Sequence, residues 1–103
     1  MTEKYKITYL PLFHEDLDKI TDYTLYRLKN EPATKRLIDE IEKEINKRAY
    51  NPIAYEIYST TKERKNNYYR IYVKNYTIFY TVKDNIMEVR RILYNKRNFD
   101  RLI

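Results

Sequence analysis

The side chains best suited to chemistry lie near the carboxyl end of the chain. They are basic and tyrosine residues between positions 70 and 97: Arg70, Tyr72, Arg90, Arg91, Tyr94, Lys96 and Arg97. Arginine and lysine hold phosphate groups, and tyrosine rings stack on unpaired bases for about 1–3 kcal/mol per base. Each single tyrosine also has a structural interpretation, as a half-buried strand residue. The group as a whole predicts a binding surface for an anionic partner.

The charge of the chain is concentrated in the same region. Of a formal net charge of +6, residues 64–103 contribute ten basic against three acidic side chains, or +7, which leaves −1 for residues 1–63. A basic part attached to a near-neutral part indicates a nucleic acid or an acidic protein as partner. Within it, Arg64 and Lys65 are interpreted as solvated charges of an exposed loop from Thr60 to Asn67.

The composition excludes several kinds of site. The chain has no cysteine and a single histidine, His14, so it cannot form a thiolate or a multi-histidine metal site. It has no glycine, which phosphate-cradling loops need for close backbone approach. We therefore expect no metal and no small-molecule cofactor. His14 and the Glu40, Glu42 and Glu44 series are interpreted as solvated helix residues.

Length and hydropathy predict the general class. A chain of 103 residues with 43% hydrophobic content is expected to form one domain over residues 1–103. No apolar run approaches the roughly 20 residues of a membrane span, and residues 1–11 lack the apolar stretch of a signal peptide. We expect a cytoplasmic protein with no membrane partner.

A strand and two helices are predicted ahead of the basic region. Residues 5–9 form a β-rich run. Over about 11–30, apolar residues recur every three or four positions, which predicts an amphipathic helix with Leu28 on its buried stripe. Asp16 is interpreted as one of the acids that favour the positive end of that helix. A second apolar stripe predicts a helix over about 33–50, antiparallel to the first.

Three strands joined by tight turns are predicted next. They cover residues 68–73, 76–83 and 86–94. The turns are Lys74-Asn75 and Asp84-Asn85, in which asparagine tolerates positive φ without glycine. A basic tail follows, with a turn of helix around Phe99–Leu102. The predicted fold class is α+β: an N-terminal strand and an antiparallel helical hairpin packed on a twisted antiparallel β-meander, with a short basic C-terminal tail.

Alternation along the strands divides the predicted sheet into two faces. The core face, packed on the helices, carries Tyr69, Ile71, Val73, Tyr76, Ile78, Tyr80 and Val82. The other face is expected to be open and to carry Arg70, Tyr72, Thr77 and Phe79. The last strand fits neither phase throughout. A β-bulge near Arg90-Arg91 would resolve this and leave one of the two arginines on the open face.

The order of elements and several motifs resemble the RelE/ParE superfamily of bacterial toxins from type II toxin–antitoxin systems. The resemblance covers essentially the whole chain and is carried by EDLDKITDY, EPATKRLIDEIEKEI, YYRIYVKNYTIFYTV and RRILYNKRNF. The helical half is closer to the ParE side. The resemblance implies neutralisation by a cognate antitoxin, typically an acidic and partly disordered segment that wraps the toxin.

The resemblance also implies two modes of action. RelE-like members are ribonucleases that cut mRNA in the ribosome, whereas ParE-like members bind DNA gyrase without known chemistry of their own. Transferred residue by residue, the catalytic candidates of a ribonuclease are Arg70, Tyr94, Lys96 and Arg97. Thr77 departs from the ribonuclease pattern, because RelE-like members often have an arginine at this position.

We therefore predict a toxin that inhibits growth, with ParE-like inhibition of DNA gyrase favoured over ribosome-dependent cleavage of mRNA. A third interpretation is an inactive homologue that only binds its antitoxin. Whether the chain is an enzyme stays open. The binding candidates are Arg70, Tyr72, Arg90, Arg91, Lys96 and Arg97.

Overall fold

A computed structural model describes residues 3–58, 67–97 and 99–103, with only the backbone of Asp100. The predicted exposed loop from Thr60, with Arg64 and Lys65, lies outside the described residues. No helix in the described ranges is long and apolar enough to cross a membrane.

A mixed sheet, with five strands among the described residues, forms the centre of the molecule. Its strands are β1 (Lys6–Tyr9), β2 (Ile57–Tyr58), β3 (Tyr68–Val73), β4 (Tyr76–Lys83) and β5 (Ile86–Tyr94). They lie in the order β1-β5-β4-β3-β2, and β1 pairs with β5 in parallel while the other pairs are antiparallel. The predicted meander and the predicted N-terminal strand are both confirmed, and the short strand β2 is added at the other edge.

Three α-helices in the described part of the chain complete the α+β fold. They are α1 (Pro11–Asp22), α2 (Glu31–Arg48) and α3 (Phe99–Leu102). Pro11 occupies the first turn of α1, where its missing N–H costs nothing. The side chain of Asn30 caps α2 by accepting the N–H of Ala33 at 3.1 Å.

The first helix is shorter than predicted, because it widens into a π-helical turn over Tyr23–Arg27. There the N–H of Leu28 donates to the carbonyl oxygen of Tyr23 at 3.1 Å, five residues back. The hydroxyl of Thr24 also donates to the carbonyl oxygen of Ile20 at 3.0 Å. The wider turn changes the phase of the apolar stripe. Leu28, expected in the core, is 57% exposed.

The main core lies between the helices and the predicted core face of the sheet. Phe13 of α1 and Leu37, Ile41 and Ile45 of α2 pack there. Their partners from the strands are Tyr69, Ile71, Val73, Ile78, Tyr80, Met87, Val89 and Ile92. The alternation of side chains along the strands thus predicted the core face of the sheet correctly.

A second cluster covers the face that was expected to be open, which we call the outer face. Tyr68, Phe79 and Leu93 pack there against Phe99 and Leu102 of α3. Thr77 and Phe79 are 0% exposed, so the prediction of an open face is wrong at both residues. The reason is that the chain after β5 folds back and places α3 over the sheet.

Positive φ angles close both hairpins, but one residue earlier than predicted. Lys74 has φ 52° and Asp84 has φ 56°, while Asn75 and Asn85 lie outside the left-handed region. The first residue of each turn therefore adopts the left-handed conformation. It bears the steric cost of a Cβ atom, which glycine would avoid.

Truncation of Phe79 tests the second cluster. Phe79→Ala should lower the free energy of unfolding by about 3 kcal/mol, because it empties a fully buried site. Tyr72→Ala is the matched control on the same face of the neighbouring strand. Since Tyr72 is 61% exposed, its change should stay within about 0.5 kcal/mol. Urea unfolding of both variants measures the difference, and equal small losses would contradict the packed outer face.

Candidate binding surface

The structure distributes the predicted site residues over four places. Arg70, Tyr72 and Arg90 lie on the outer face, and Lys96 and Arg97 lie in the turn after β5. Tyr94 points to the helix side, where its ring centroid lies 5.9 Å from that of Tyr76. Arg91 lies at the edge of the sheet. The structure therefore does not bring the four catalytic candidates together.

Arg70 and Tyr72 form the exposed part of β3. The guanidinium carbon of Arg70 lies 4.8 Å from the ring centroid of Tyr58 and 5.6 Å from that of Tyr72. These distances are within the range of cation–π attraction, which holds the arginine against the sheet. The ring of Tyr72 remains accessible, so an arginine and an aromatic ring are presented side by side.

Arg90 is the extra residue of the predicted β-bulge, which is confirmed. Phe79 pairs with Arg91 and Tyr80 pairs with Val89, so Arg90 has no partner across the ladder. Its guanidinium donates to Glu88 and lies 5.5 Å from the ring centroid of Tyr68. Both contacts are on the outer face. The bulge lets Val89 and Ile92 both point into the main core.

Arg91 is held in a buried ion pair with Asp16. Its Nε and Nη2 atoms donate to the two carboxylate oxygens of Asp16 at 2.7 and 2.9 Å. Its Nη1 atom donates to the carbonyl oxygen of Leu102 at 2.6 Å. The hydrogen bonds to Asp16 raise the pKa of Arg91 above its ordinary value, so the charge is permanent. The guanidinium of Arg91 is therefore bound by groups of the same chain, namely Asp16 and the carbonyl of Leu102.

Asp16 is the structural residue that the sequence interpretation missed. It was assigned to the helix dipole, but the first turn of α1 contains no acid, and Asp16 is only 8% exposed. Its carboxylate also accepts the N–H of Ile92 at 3.2 Å. A signal was present, because Asp16 follows Phe13 by three residues and so shares the buried stripe of the helix.

Arg48 is the second missed residue. Its position four residues after Glu44 favours an ion pair on the solvated face of the helix. Instead its Nη1 atom donates to the carbonyl oxygen of Arg70 and to the hydroxyl of Tyr80, each at 2.9 Å. The hydroxyl of Tyr80 donates in turn to the carbonyl oxygen of Pro52 at 2.7 Å. Arg48 therefore fixes the backbone of β3 at the residue that presents the Arg70 side chain.

The turn carrying Lys96 and Arg97 is fastened to the end of the sheet. The N–H of Asn95 donates to the carbonyl oxygen of Asn75, and that of Arg97 to the carbonyl oxygen of Tyr94, both at 2.9 Å. The hydroxyl of buried Thr77 donates to the side chain of Asn95 at 2.6 Å. Both basic side chains are exposed, and no ion pair joins them to the described residues.

The chemistry available at this surface is anion binding. Burial raises the pKa of the Tyr80 hydroxyl, an effect that Arg48 only partly offsets, so Tyr80 is no base at neutral pH. His14 is exposed on α1, where its ring lies 5.6 Å from that of Tyr9. The described residues contain no group of three acidic or histidine side chains that could hold a metal. Among the described residues, the carboxylate nearest to the cations of this surface is Glu88, which is engaged by Arg90 in an ion pair.

Comparison with known proteins gives a consistent assignment. The family model of the ParE toxin of type II toxin–antitoxin system, parDE, matches residues 7–99. No curated protein matches the chain significantly.

Solved structures with similar folds include a chain of the chromosomal ParDE system from P. aeruginosa. It has 15% identity and a TM-score of 0.66, over 88% of this chain and 96% of that one. A chain of the RelB–RelE antitoxin–toxin complex from Methanococcus jannaschii has 25% identity and a TM-score of 0.53, over 93% of this chain and 99% of that one. A chain of the YoeB dimer from Staphylococcus aureus has 20% identity and a TM-score of 0.58, over 89% of this chain and 98% of that one. At 15% and 20% identity, the similarity to the ParDE and YoeB chains shows a shared fold alone.

Removing the charge of Asp16 tests its structural role. Asp16→Asn should lower the free energy of unfolding by about 3 kcal/mol, because Arg91 is left as an uncompensated, mostly buried charge. Asp18→Asn, an exposed site on the same helix, is the control and should change it by less than about 0.5 kcal/mol.

A double-mutant cycle separates the ion pair from loss of packing. Asp16→Leu with Arg91→Met should cost less than the sum of the two single changes, because no charge remains unpaired. Denaturant melts of the four proteins give the coupling free energy, and additive losses would show that the pair is not a unit.

Proposed function

The chain belongs to the family of ParE toxins of type II toxin–antitoxin systems, and we propose that it inhibits growth by binding DNA gyrase until its cognate antitoxin neutralises it. The antitoxin partner is supported by the fold relatives, which come from a ParDE system and from RelB–RelE complexes. The proposed target distinguishes this chain from ribonucleases with the same fold.

The filled outer face is the observation that favours binding without catalysis. A ribonuclease of this fold is expected to use an open sheet surface with an arginine near the scissile phosphate. Here the corresponding position is Thr77, which is 0% exposed and donates its hydroxyl to Asn95. Next to it, Phe79 is packed under Phe99, with ring centroids 4.9 Å apart. The Thr77 position therefore supplies no cation, and the nearest described one on this face is Arg70, which pairs with Phe79 across the sheet.

The groups needed for RNA cleavage are not assembled either. Attack by a 2′-hydroxyl needs a proton acceptor, a proton donor and a cation for the developing charge. Arg91, which the sequence offered as a cation, is occupied by Asp16 and the end of α3. Tyr94 is on the helix side, away from Arg70 on the outer face. A proton relay between these residues has no structural support.

The remaining candidates, which are exposed or half-buried, suit docking to a protein. We define the binding surface as Arg70, Tyr72, Arg90, Lys96 and Arg97. The sheet row that contains Tyr72 continues through Thr77 to Leu93, three residues before Lys96. Tyr72 and the basic turn are therefore at the same end of the sheet. Arginine and tyrosine are the residue types most often dominant in protein interfaces, which supports a target that is recognised but not cleaved.

A ribosome-dependent ribonuclease is the second candidate, and one observation favours it. Arg70 lies next to the exposed ring of Tyr72, a pairing that also suits a phosphate beside a stacked base. In that case Lys96 would have to supply the proton transfer.

Two assays on the purified chain separate the candidates. Gyrase inhibition predicts loss of DNA supercoiling, with no cleavage of a reporter mRNA in a translating extract. Cleavage of the mRNA with normal supercoiling would instead establish the ribonuclease. An absence of both effects, with antitoxin binding intact, would identify an inactive homologue and contradict the proposal.

Arg97→Ala tests the binding surface. The exposed guanidinium should contribute a charge-assisted contact of about 1.5 kcal/mol, so binding to gyrase should weaken about tenfold and toxicity should fall. Lys43→Ala removes a charge from the exposed side of α2 and should leave both unchanged. Titration of gyrase and growth after induction give the two readouts. If both variants melt like the wild type and lose activity equally, the binding surface is wrongly placed.

A further inference from the structure

A cleft between α1, α2 and the end of β1 is not used by the proposed toxic activity. Its volume is about 270 Å³, slightly below the roughly 300 Å³ at which pockets for drug-sized ligands begin. It is lined by Tyr9, Phe13, His14, Leu17, Ile38, Ile41, Glu42, Ile45 and Asn46. We call it the helix cleft. None of its lining residues belongs to the binding surface.

Three aromatic rings meet in the helix cleft. The ring centroid of Tyr9 lies 5.3 Å from that of Phe13 and 5.6 Å from that of His14, and the last two are 5.8 Å apart. The ring planes are tilted against each other by 39° to 73°, so they can enclose a small group from more than one side. A cation placed among them can lie within about 6 Å of each centroid, which is the range of cation–π attraction.

The buried and the accessible rings have different parts in this arrangement. Phe13 is buried, so its ring belongs to the floor of the helix cleft, while Tyr9 and His14 remain exposed beside it. Ile41 and Ile45 continue the floor and are at most 2% exposed. The helix cleft therefore combines an apolar floor with two accessible aromatic walls.

Glu42 is the one formally charged side chain among the described lining residues, although the chain as a whole carries +6. Its carboxylate forms no ion pair with a described residue. It lies close enough to Tyr9 to add to the effect of burial, which raises the pKa of the Tyr9 hydroxyl. The phenol keeps its proton at neutral pH, and Glu42 supplies the negative charge of the helix cleft.

The side chain of Asn46 is already used within the chain. Its Nδ2 atom donates to the carbonyl oxygen of Glu42 at 2.8 Å. Its Oδ1 atom accepts from the ammonium group of Lys4 at 2.7 Å. Asn46 therefore fixes the rim, and the carboxylate of Glu42 is left as the acceptor for a ligand. Lys4 adds a like charge beside the rim, which a bound cation has to overcome.

We propose that the helix cleft binds a small alkylated ammonium ion, whose charge lies against the rings of Tyr9 and His14 and next to the carboxylate of Glu42. Its alkyl groups lie on the floor with Ile41 and Ile45. Enclosure by aromatic rings is a common way for proteins to recognise quaternary ammonium groups. This inference goes beyond the proposed function and does not depend on it.

Other ions fit the helix cleft less well. A metal site in a protein uses at least three ligating side chains, and the described residues contain no such group of acidic or histidine residues. An anion would be repelled by Glu42. The start of α1 offers an anion little compensation, because Pro11 has no N–H and that of Phe13 donates to the carbonyl oxygen of Leu10 at 3.0 Å.

Choline and its neutral isostere, in which a carbon atom replaces the nitrogen, test the proposal on the purified wild-type chain. The two ligands have nearly the same shape, so the apolar floor binds them alike, whereas the rings and Glu42 attract only the cation. Choline should bind about tenfold more tightly than the isostere. Titration followed by NMR gives both dissociation constants and shows which amide signals move.

Glu42→Gln removes the charge and keeps the size of the side chain. It should weaken choline binding about fourfold and leave binding of the isostere within about twofold. Glu44→Gln is the matched control, because it is the same change on the same helix at a residue that does not line the helix cleft. It should bind choline within about twofold of wild type.

Two further variants test the aromatic wall and the rim. Tyr9→Leu keeps an apolar contact without the ring, so it should weaken choline binding about threefold and leave the isostere nearly unaffected. Tyr26→Leu, on the exposed π-helical turn, should change neither. Lys4→Met removes the like charge beside the rim and should tighten choline binding, more at low salt than at high salt.

The outcomes separate this proposal from its alternatives. Equal binding of choline and the isostere by the wild type, or no detectable binding of choline, would overturn it. So would equal losses in Glu42→Gln and Glu44→Gln. A peptide carrying trimethyllysine that binds far more tightly than choline would assign the helix cleft to a protein side chain and reject a free ligand. The supercoiling assay tests the proposed function without choline, so either proposal can fail alone.

Discussion

The ion pair between Asp16 and Arg91 joins the parts of the fold that would otherwise be separate. β1 pairs with β5 only as far as Val89, so the next part of the β5 edge has no strand beside it. Asp16 accepts the N–H of Ile92 there, which satisfies a donor that an open edge would expose. The same carboxylate orients Arg91, which binds the last carbonyl of α3. One buried acid thus connects α1, the sheet and the C-terminal helix.

The β-bulge determines where the two adjacent arginines go. Without the extra residue, Val89 and Ile92 would point to opposite sides of the sheet, and one of them would leave the main core. With it, Arg90 turns to the ring of Tyr68 on the outer face and Arg91 turns to Asp16 at the edge. Two neighbouring cations acquire different roles, one available for a partner and one structural. Charge counts along the sequence treat them as equivalent.

The alternation of side chains and the residues typical of turns were sufficient to predict the strands of the meander, its core face and its bulge. These features depend on neighbouring residues within the sheet. The outer face could not be predicted in the same way. Phe79 is buried by α3, whose four residues show no periodicity that indicates what they cover. The π-helical turn depends on a hydrogen-bond shift near Thr24 that propensity does not reveal. For the site, the sequence identified the exposed cations but placed Tyr94 among them, since its direction depends on the bulge upstream.

The end of β5 offers a physical link between the helix side of the sheet and the basic turn. Tyr94 ends the strand beside Tyr76 on the helix side, and the turn with Lys96 and Arg97 begins immediately after it. The N–H of Arg97 donates to the carbonyl oxygen of Tyr94, so the backbone positions of the two residues are coupled. A side chain bound against Tyr94 would restrict that turn as well. A contact at Tyr94 would then act on Arg97 through four covalently continuous residues, on the side of the sheet away from Arg70.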